Sequence, residues 1–148
     1  MATAPDHSLL ESLFPPQVVP EDEIDGIPPE VGMYKQHFGG RAWPQVKRKY
    51  YEWHTDAFSL MDHSTLKFFI GGYLNAILTD PDSNPSESIV YFAGNKSFVE
   101  FCGVLADNQT QYLLATVDWI IKDDYFSDDD RIRYARNREI VSNSLNTG

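Results

Sequence analysis

Residues 62–80 read DHSTLKFFIGGYLNAILTD. Leu66, Phe69, Ile70, Tyr73, Leu74, Ile77 and Leu78 fall at i, i+3, i+4, i+7, i+8, i+11 and i+12. That spacing is the apolar stripe of an amphipathic α-helix about four turns long. Asp62 or Ser64 can cap its start by accepting from free backbone N–H groups. Gly71-Gly72 in the middle costs up to ~1 kcal/mol per residue against alanine. Each buried large side chain gains roughly 1.5–3 kcal/mol, so the stripe prevails. The glycine pair suits close approach of a neighbouring helix, or a kink.

Beyond this helix, TDPDSNPSES (79–88) reads as a loop. SIVYFAG (88–94) is β-like in composition but has no partner strand, so it reads as an extended or short helical connector. Lys96–Val104 reads as a short helix. Asp107–Ile121 repeats the stripe with Tyr112, Leu113, Thr116, Val117, Ile120 and Ile121, widened by Trp119, and Asp107 or Asn108 can cap it. Asp130 to about Leu145 forms a last helix, polar apart from Ile132, Tyr134, Ala135, Ile140, Val141 and Leu145.

Toward the N-terminus, RAWPQVKRKYYEWHT (41–55) is basic. Pro44 can open a helix there with Val46, Tyr50 and Trp53 on one face, while Arg41, Lys47, Arg48 and Lys49 meet water. Glu30–Phe38 is a helix with Pro29 in its first turn and Gly39-Gly40 past its end. Residues 15–30 hold five of the nine prolines and form an extended acidic loop. His7–Phe14 is a short helix stopped by Pro15-Pro16, and residues 1–7 are a loose tail. The expected fold is all-α: a single-domain helical bundle over residues 1–148, with a long Pro-rich acidic N-terminal loop.

In 148 residues, 22 acids face 12 bases, for a formal charge of −10. This balance disfavours nucleic acid, which needs a basic face, and anionic membrane surfaces. It favours steered association with a basic protein. The single cysteine, Cys102, allows no disulfide within the chain and reads as buried packing in a reducing compartment. The N-terminus lacks a basic, then apolar, secretion pattern, and no apolar run approaches the ~20 residues that span a bilayer. The expected location is the cytoplasm.

KDDYFSDDD (122–130) carries the most concentrated charge. A helix-loop-helix calcium loop starting at Asp128 fits at Asp130 and Glu139 but fails at Ile132 and Arg133, where an oxygen ligand and glycine are needed. Two readings remain. The aspartates meet the positive end of the following helix, or they form a partner surface with Tyr125 and Phe126 exposed between charges. The four histidines show no zinc spacing, and no GxSxG, P-loop or GxGxxG occurs. No metal and no cofactor are expected. His54 and His63, flanking Asp56 and Asp62, allow an acid–base cluster, although capping and surface roles suit them as well. Glu100 and Asp118 on apolar helices read as satisfied structural carboxylates.

With the helices placed, LLESLF (9–14), HFGGRAW (37–43), DAFSLMDHSTLKFFIGGYL (56–74) and FVEFCGVLADNQTQYLLATVDWI (98–120) share the order of features of a known family. From about Leu9 to Ile121 the chain resembles small bacterial proteins grouped as a domain of unknown function. The family carries Phe-x-Gly-x-x-Trp, an aromatic-rich helix, and Leu-x-x-x-Gln before a hydrophobic helix. It has proline where this chain has Gly71-Gly72, and it lacks the acidic stretch beyond Lys122. The resemblance implies an all-α fold and no site residues.

The sequence thus points to a non-enzymatic binding protein, more narrowly an immunity or inhibitor protein that masks a toxic bacterial partner with a basic surface. Asp123, Asp124, Tyr125, Phe126, Asp128, Asp129 and Asp130 are the expected contact residues, with Glu21, Asp22 and Glu23 second. The alternatives are an enzyme using His54, Asp56 and His63, or a regulatory or structural subunit.

Overall fold

A computed structural model describes residues 3–146, and among these residues the fold is all-α. The striped segment forms α5 (His63–Thr79), the central helix, with ten of its seventeen residues buried. Around it run α1 (Leu10–Leu13), α2 (Glu30–Phe38), α3 (Arg48–Trp53), α4 (Ala57–Leu60), α6 (Asn84–Ala93), α7 (Lys96–Cys102), α8 (Asp107–Ile120) and α9 (Asp128–Asn146). Three short 3-10 turns (His7–Leu9, Glu21–Glu23 and Trp43–Gln45) join the early helices. One hydrophobic cluster extends from Leu10 to Val141. Cys102 belongs to it, and burial pushes its thiol up to about 12.

The glycine pair has a definite task. A Cβ on Gly71 would lie 2.9 Å from the Trp43 indole, and one on Gly72 would overlap the Tyr51 phenol. The Trp43 indole N–H donates to the Phe14 carbonyl (2.8 Å), and the Tyr51 hydroxyl donates to the Trp43 carbonyl (2.8 Å). Two aromatic side chains from the 43–51 segment therefore press onto the helix backbone, and only glycine leaves room. What approaches is a pair of rings rather than a helix.

Several elements differ from their sequence reading. The supposed loop and connector at 79–94 contain α6. Pro85 sits in its first turn, where a missing N–H costs nothing. Burial of Ile89, Val90, Phe92 and Ala93 outweighs the weak helical preference of the β-branched residues. Pro44 opens only a 3-10 turn; α3 starts at Arg48 and turns Tyr51 inward, leaving Trp53 62% exposed. Neither Asp107 nor Asn108 caps α8. Ala106 holds the cap position, and the Gln109 amide accepts from its N–H (3.0 Å) while donating to the Leu13 carbonyl (2.9 Å). Asp62 precedes α5, but its side chain makes no capping bond. The last helix begins two residues earlier than expected because Ser127 and Asp130 exchange side-chain-to-backbone hydrogen bonds, each of 3.1 Å.

Of the predicted loose tail, residues 1–2 lie outside the described residues. The rest is tied down: the Tyr112 hydroxyl donates to the Asp6 carbonyl (2.8 Å), and His7 bonds Asn75 (2.6 Å). Residues 14–29 contain the turn at Glu21–Glu23 and bury Val19 and Ile24. Backbone bonds from Val19 to Arg41, Ile27 to Leu60 and Asp62 to Asp25 fasten this segment to the bundle.

α9 closes the opposite side, packing on α6 and α7. It buries Tyr134 and Val141. The Arg138 guanidinium grips both oxygens of Asp118 (2.8 and 2.7 Å), and the Tyr134 hydroxyl donates to the same carboxylate (2.7 Å). The Asn137 amide donates to the carbonyls of Ala93 and Asn95, each at 2.8 Å. Asp118 is thus a satisfied structural carboxylate.

Candidate functional site

The α8–α9 connection and the start of α6 together line an open cleft of about 600 Å³. One wall is Pro81, Asp82, Ser83, Asn84, Ser86 and Glu87; the other is Trp119, Ile120, Lys122, Asp123, Tyr125 and Phe126. The volume falls within the roughly 300–1,000 Å³ of ordinary ligand sites.

Arg131 builds the second wall. Its guanidinium donates to the carbonyls of Ile121 (3.1 Å), Phe126 (2.8 Å) and Asp123 (2.8 Å), so one side chain satisfies three carbonyls of the connecting loop. The first wall is joined to it through Glu87, whose carboxylate accepts from the hydroxyls of Tyr125 (2.9 Å) and Tyr91 (3.3 Å). The bond to Glu87, with Tyr91 adding to it, pushes the Tyr125 phenol up to about 12. Tyr125 is 64% exposed and forms the lip.

Two serine hydroxyls distinguish this place. Ser86 is 3% exposed, and its Oγ has no hydrogen-bond partner; Ser83 Oγ, also buried, has none. Among the described residues these are the only buried side-chain oxygens or nitrogens without a partner. A buried polar group left unmatched costs ~1–3 kcal/mol.

The sequence-predicted contact residues divide. Asp123 and Tyr125 line the cavity. Phe126 does so from inside: it is 6% exposed, not the exposed partner of Tyr125 expected from its charged surroundings. It belongs to the hydrophobic cluster of the core. Asp124 faces solvent. Asp128 lies 3.5 Å from Arg131, Asp129 3.2 Å from Arg133 and Asp130 2.9 Å from Arg133, so the aspartate run is largely matched by arginines of its own helix. Burial raises the Asp130 carboxyl, but the Ser127 N–H and hydroxyl together with Arg133 outweigh it and hold it below its ordinary value. Glu21, Asp22 and Glu23 are exposed beside α2 and do not line the cavity. Sequence reasoning missed Asp82, Ser83, Ser86 and Glu87 because it treated them as loop. It took Trp119 only as part of a helix face.

The acid–base alternative meets a different arrangement. His54 shares a 2.6 Å hydrogen bond with His37. His37 stacks on Tyr50 with ring centres 4.0 Å apart, and Asp56 accepts from the Tyr34 hydroxyl (2.8 Å). His63 lies edge-on to Phe101 (5.4 Å) and Phe92 (6.4 Å). Burial lowers the pKa of both His37 and His54, with Arg41 and Lys49 adding to it at His37 and His37 adding to it at His54, where Asp56 opposes. Among the described residues, no group of three or more histidine, cysteine or acidic side chains gathers where it could hold a metal ion. No described helix is long and apolar enough to cross a membrane.

Compared with protein-family models, curated proteins and solved structures, the chain matches no family model, and no curated protein or solved structure shows significant similarity.

Proposed function

We propose that this chain is a non-enzymatic binding protein that holds a basic protein partner against the face made by the start of α6 and the α8–α9 connection. In its narrower form it is a cytoplasmic inhibitor, of the immunity type, that masks a toxic bacterial protein. The observation that carries this reading is the cavity: Asp82, Glu87, Lys122 and Asp123 line it together with Trp119, Tyr125 and Phe126. The chain as a whole carries a formal charge of −10. Negative charge of this size steers a basic partner toward the surface, and a concave patch with aromatic anchors supplies the short-range contacts. Among the described residues the other buried polar side chains are matched within the fold, and the reading requires neither cofactor nor metal. The resemblance to a bacterial domain of unknown function accords with it and assigns no residue.

The test is capture from native lysate on the immobilised chain. The expected result is a basic protein, with pI above ~9, retained at low salt, released as ionic strength rises, and lost when Glu87 and Asp123 are both changed to lysine. An acidic captured protein, or capture indifferent to the two reversals, refutes the proposal.

A further inference from the structure

We propose that the surface made by α2 and α3 docks a second partner, a short acidic peptide segment that carries an apolar side chain among its carboxylates. This surface is separate from the cleft and does not depend on the reading given for it. Residues 31–51 contain no aspartate or glutamate and hold five of the chain's twelve bases, in a chain of net charge −10. The fold gathers part of that positive charge around exposed aromatic surface. Trp53 stands exposed at the end of α3. Its ring lies edge-on to Tyr50 (5.5 Å) and to His37 (6.4 Å), and Tyr50 in turn stacks on His37. The Lys49 ammonium lies 5.3 Å from the ring centres of both Tyr50 and Trp53. Met33, one turn before His37 on α2, is exposed as well. Arg41 donates to the carbonyls of Gln36, His37 and Gly39, which fixes a further positive charge past the end of α2. Among the described residues no carboxylate pairs with Arg41, Lys47 or Lys49. Arg48, by contrast, is matched by Glu52 and Asp80, each at 3.6 Å, and Glu21 borders Gly39. The open positive surface is therefore the Lys49–Trp53 side of α3.

Charge and shape together select the occupant. Unpaired cations beside an exposed tryptophan suit an anion that also brings apolar area, and tryptophan leads the side chains that anchor interfaces. Its ring is already held by Tyr50 and His37, so docking orders few side chains. Met33 adds apolar surface that adapts to an irregular side chain and that carboxylates alone would leave unused. A nucleic acid brings phosphates and stacking bases, but it needs a track of cations along its backbone. Glu30 and Glu52 bound the acid-free stretch on either side and cut such a track short.

The probe is a capped Glu-Asp-Leu-Glu-Asp peptide titrated into the isotopically labelled chain. Alongside it run the same peptide with glycine for leucine, a capped Lys-Lys-Leu-Lys-Lys peptide and an octathymidylate. The acidic peptide is expected to shift the Trp53 indole N–H and the Met33 methyl saturably, with the Trp43 and Trp119 indoles unmoved. The glycine peptide should bind several-fold more weakly, and the lysine peptide should leave these signals in place. Trp53→Ala and Lys49→Glu, each with the parent's circular dichroism, should weaken binding roughly tenfold or more. Lys96→Glu changes the net charge as much as Lys49→Glu does but lies on α7, and it should leave binding as it is. Absence of any shift, equal affinity for the glycine peptide, indifference to Trp53→Ala, or an equal loss with Lys96→Glu overturns the proposal. Tighter binding of the octathymidylate than of the acidic peptide overturns it in favour of a nucleic-acid surface. Movement of the same signals when the chain alone is concentrated overturns it in favour of a second copy of the chain.

Discussion

The two ends of the molecule treat their polar atoms in opposite ways. Around α2, α3 and the first half of α5, every buried polar side chain has a partner in the fold. His37 meets His54, Tyr34 meets Asp56, Tyr51 reaches the Trp43 carbonyl, and Tyr73 donates to the His54 carbonyl at 2.6 Å. At the start of α6, Ser83 and Ser86 bury hydroxyls that meet nothing. The first region is satisfied; the second keeps two buried hydroxyl oxygens that no protein group meets, next to an open cleft. An unmatched buried hydroxyl is costly, so the two regions should answer differently to loss of an oxygen. Dense polar residues alone do not mark a site: the histidine nest is richer in titratable groups, yet its bonds are already made.

The comparison breaks most severely if the closed region proves loose. Gly72→Ala sets a methyl group against the Tyr51 ring. Tyr51 is 3% exposed and cannot withdraw without releasing the Trp43 carbonyl. Overpacking costs ~1–3 kcal/mol, the lost Tyr51–Trp43 hydrogen bond ~0.5–1.5 kcal/mol since the Trp43 carbonyl keeps the Val46 N–H (3.4 Å), and alanine returns up to ~1 kcal/mol of helix propensity. The expected loss is about 2 kcal/mol, read as a drop in urea midpoint at unchanged m-value. A variant as stable as the parent would show that the rings have room to move and that the region is not close-packed.

A single-atom deletion comes next. Tyr73→Phe removes the donor to the His54 carbonyl without changing ring packing against Tyr51 (4.8 Å) and Phe58 (4.8 Å). The His54 carbonyl keeps the Ala57 N–H (3.2 Å), so the loss is that of one hydrogen bond, about 1 kcal/mol, again measured by urea unfolding.

The histidine pair adds a pH signature with a definite sign. Both rings are buried and both pKa values are lowered from the ordinary 6.5. Above pH 6.5 the folded and unfolded chains both hold these rings neutral, and the pair adds no pH dependence. Below it the unfolded chain takes up protons first, so stability falls as pH drops toward the folded values. Arg41 and Lys49 near His37 increase the effect, while Asp56 near His54 opposes it. The urea midpoint should therefore be lower at pH 5.5 than at pH 7.5, and His37→Gln should flatten the difference. A midpoint that rises on acidification, or a slope His37→Gln leaves intact, would mean that the nest is not held neutral.

How much of this was legible in the sequence follows from the range over which each feature is encoded. α5 declares itself because its stripe is local and made of large residues. Gly71-Gly72 could be read as a place of close approach, but Trp43 and Tyr51 could not be identified as the groups that approach. Their arrival depends on how far α3 rotates, which the Tyr51–Trp43 bond fixes. α6 was misread because Pro85 and its neighbouring serines have the composition of a loop, and the burial that makes them a helix comes from distant elements. The charge of KDDYFSDDD was plain. Its division was not: Arg131 and Arg133 neutralise the later aspartates, and Phe126 turns inward. The cavity was the least legible feature. Its two walls lie more than thirty residues apart in the chain, and nothing in the letters Ser83 and Ser86 tells a matched hydroxyl from an unmatched one.

The smallest expected effect is therefore the most discriminating. Ser86→Ala deletes one buried oxygen, as Tyr73→Phe does, and the side-chain volume lost is similar. In the closed region that deletion removes a hydrogen bond. At Ser86 no bond within the protein is lost. The change removes a desolvation penalty and adds helix propensity, since alanine exceeds serine within a helix. Ser86→Ala should thus be neutral or stabilising by up to ~1 kcal/mol in the free protein. The same variant should leave capture of a basic partner unchanged, because the oxygen it removes is closed off from the cleft. A Ser86→Ala chain that is less stable by as much as Tyr73→Phe would mean that the hydroxyl is already matched within the fold, and the distinction between the two regions would vanish.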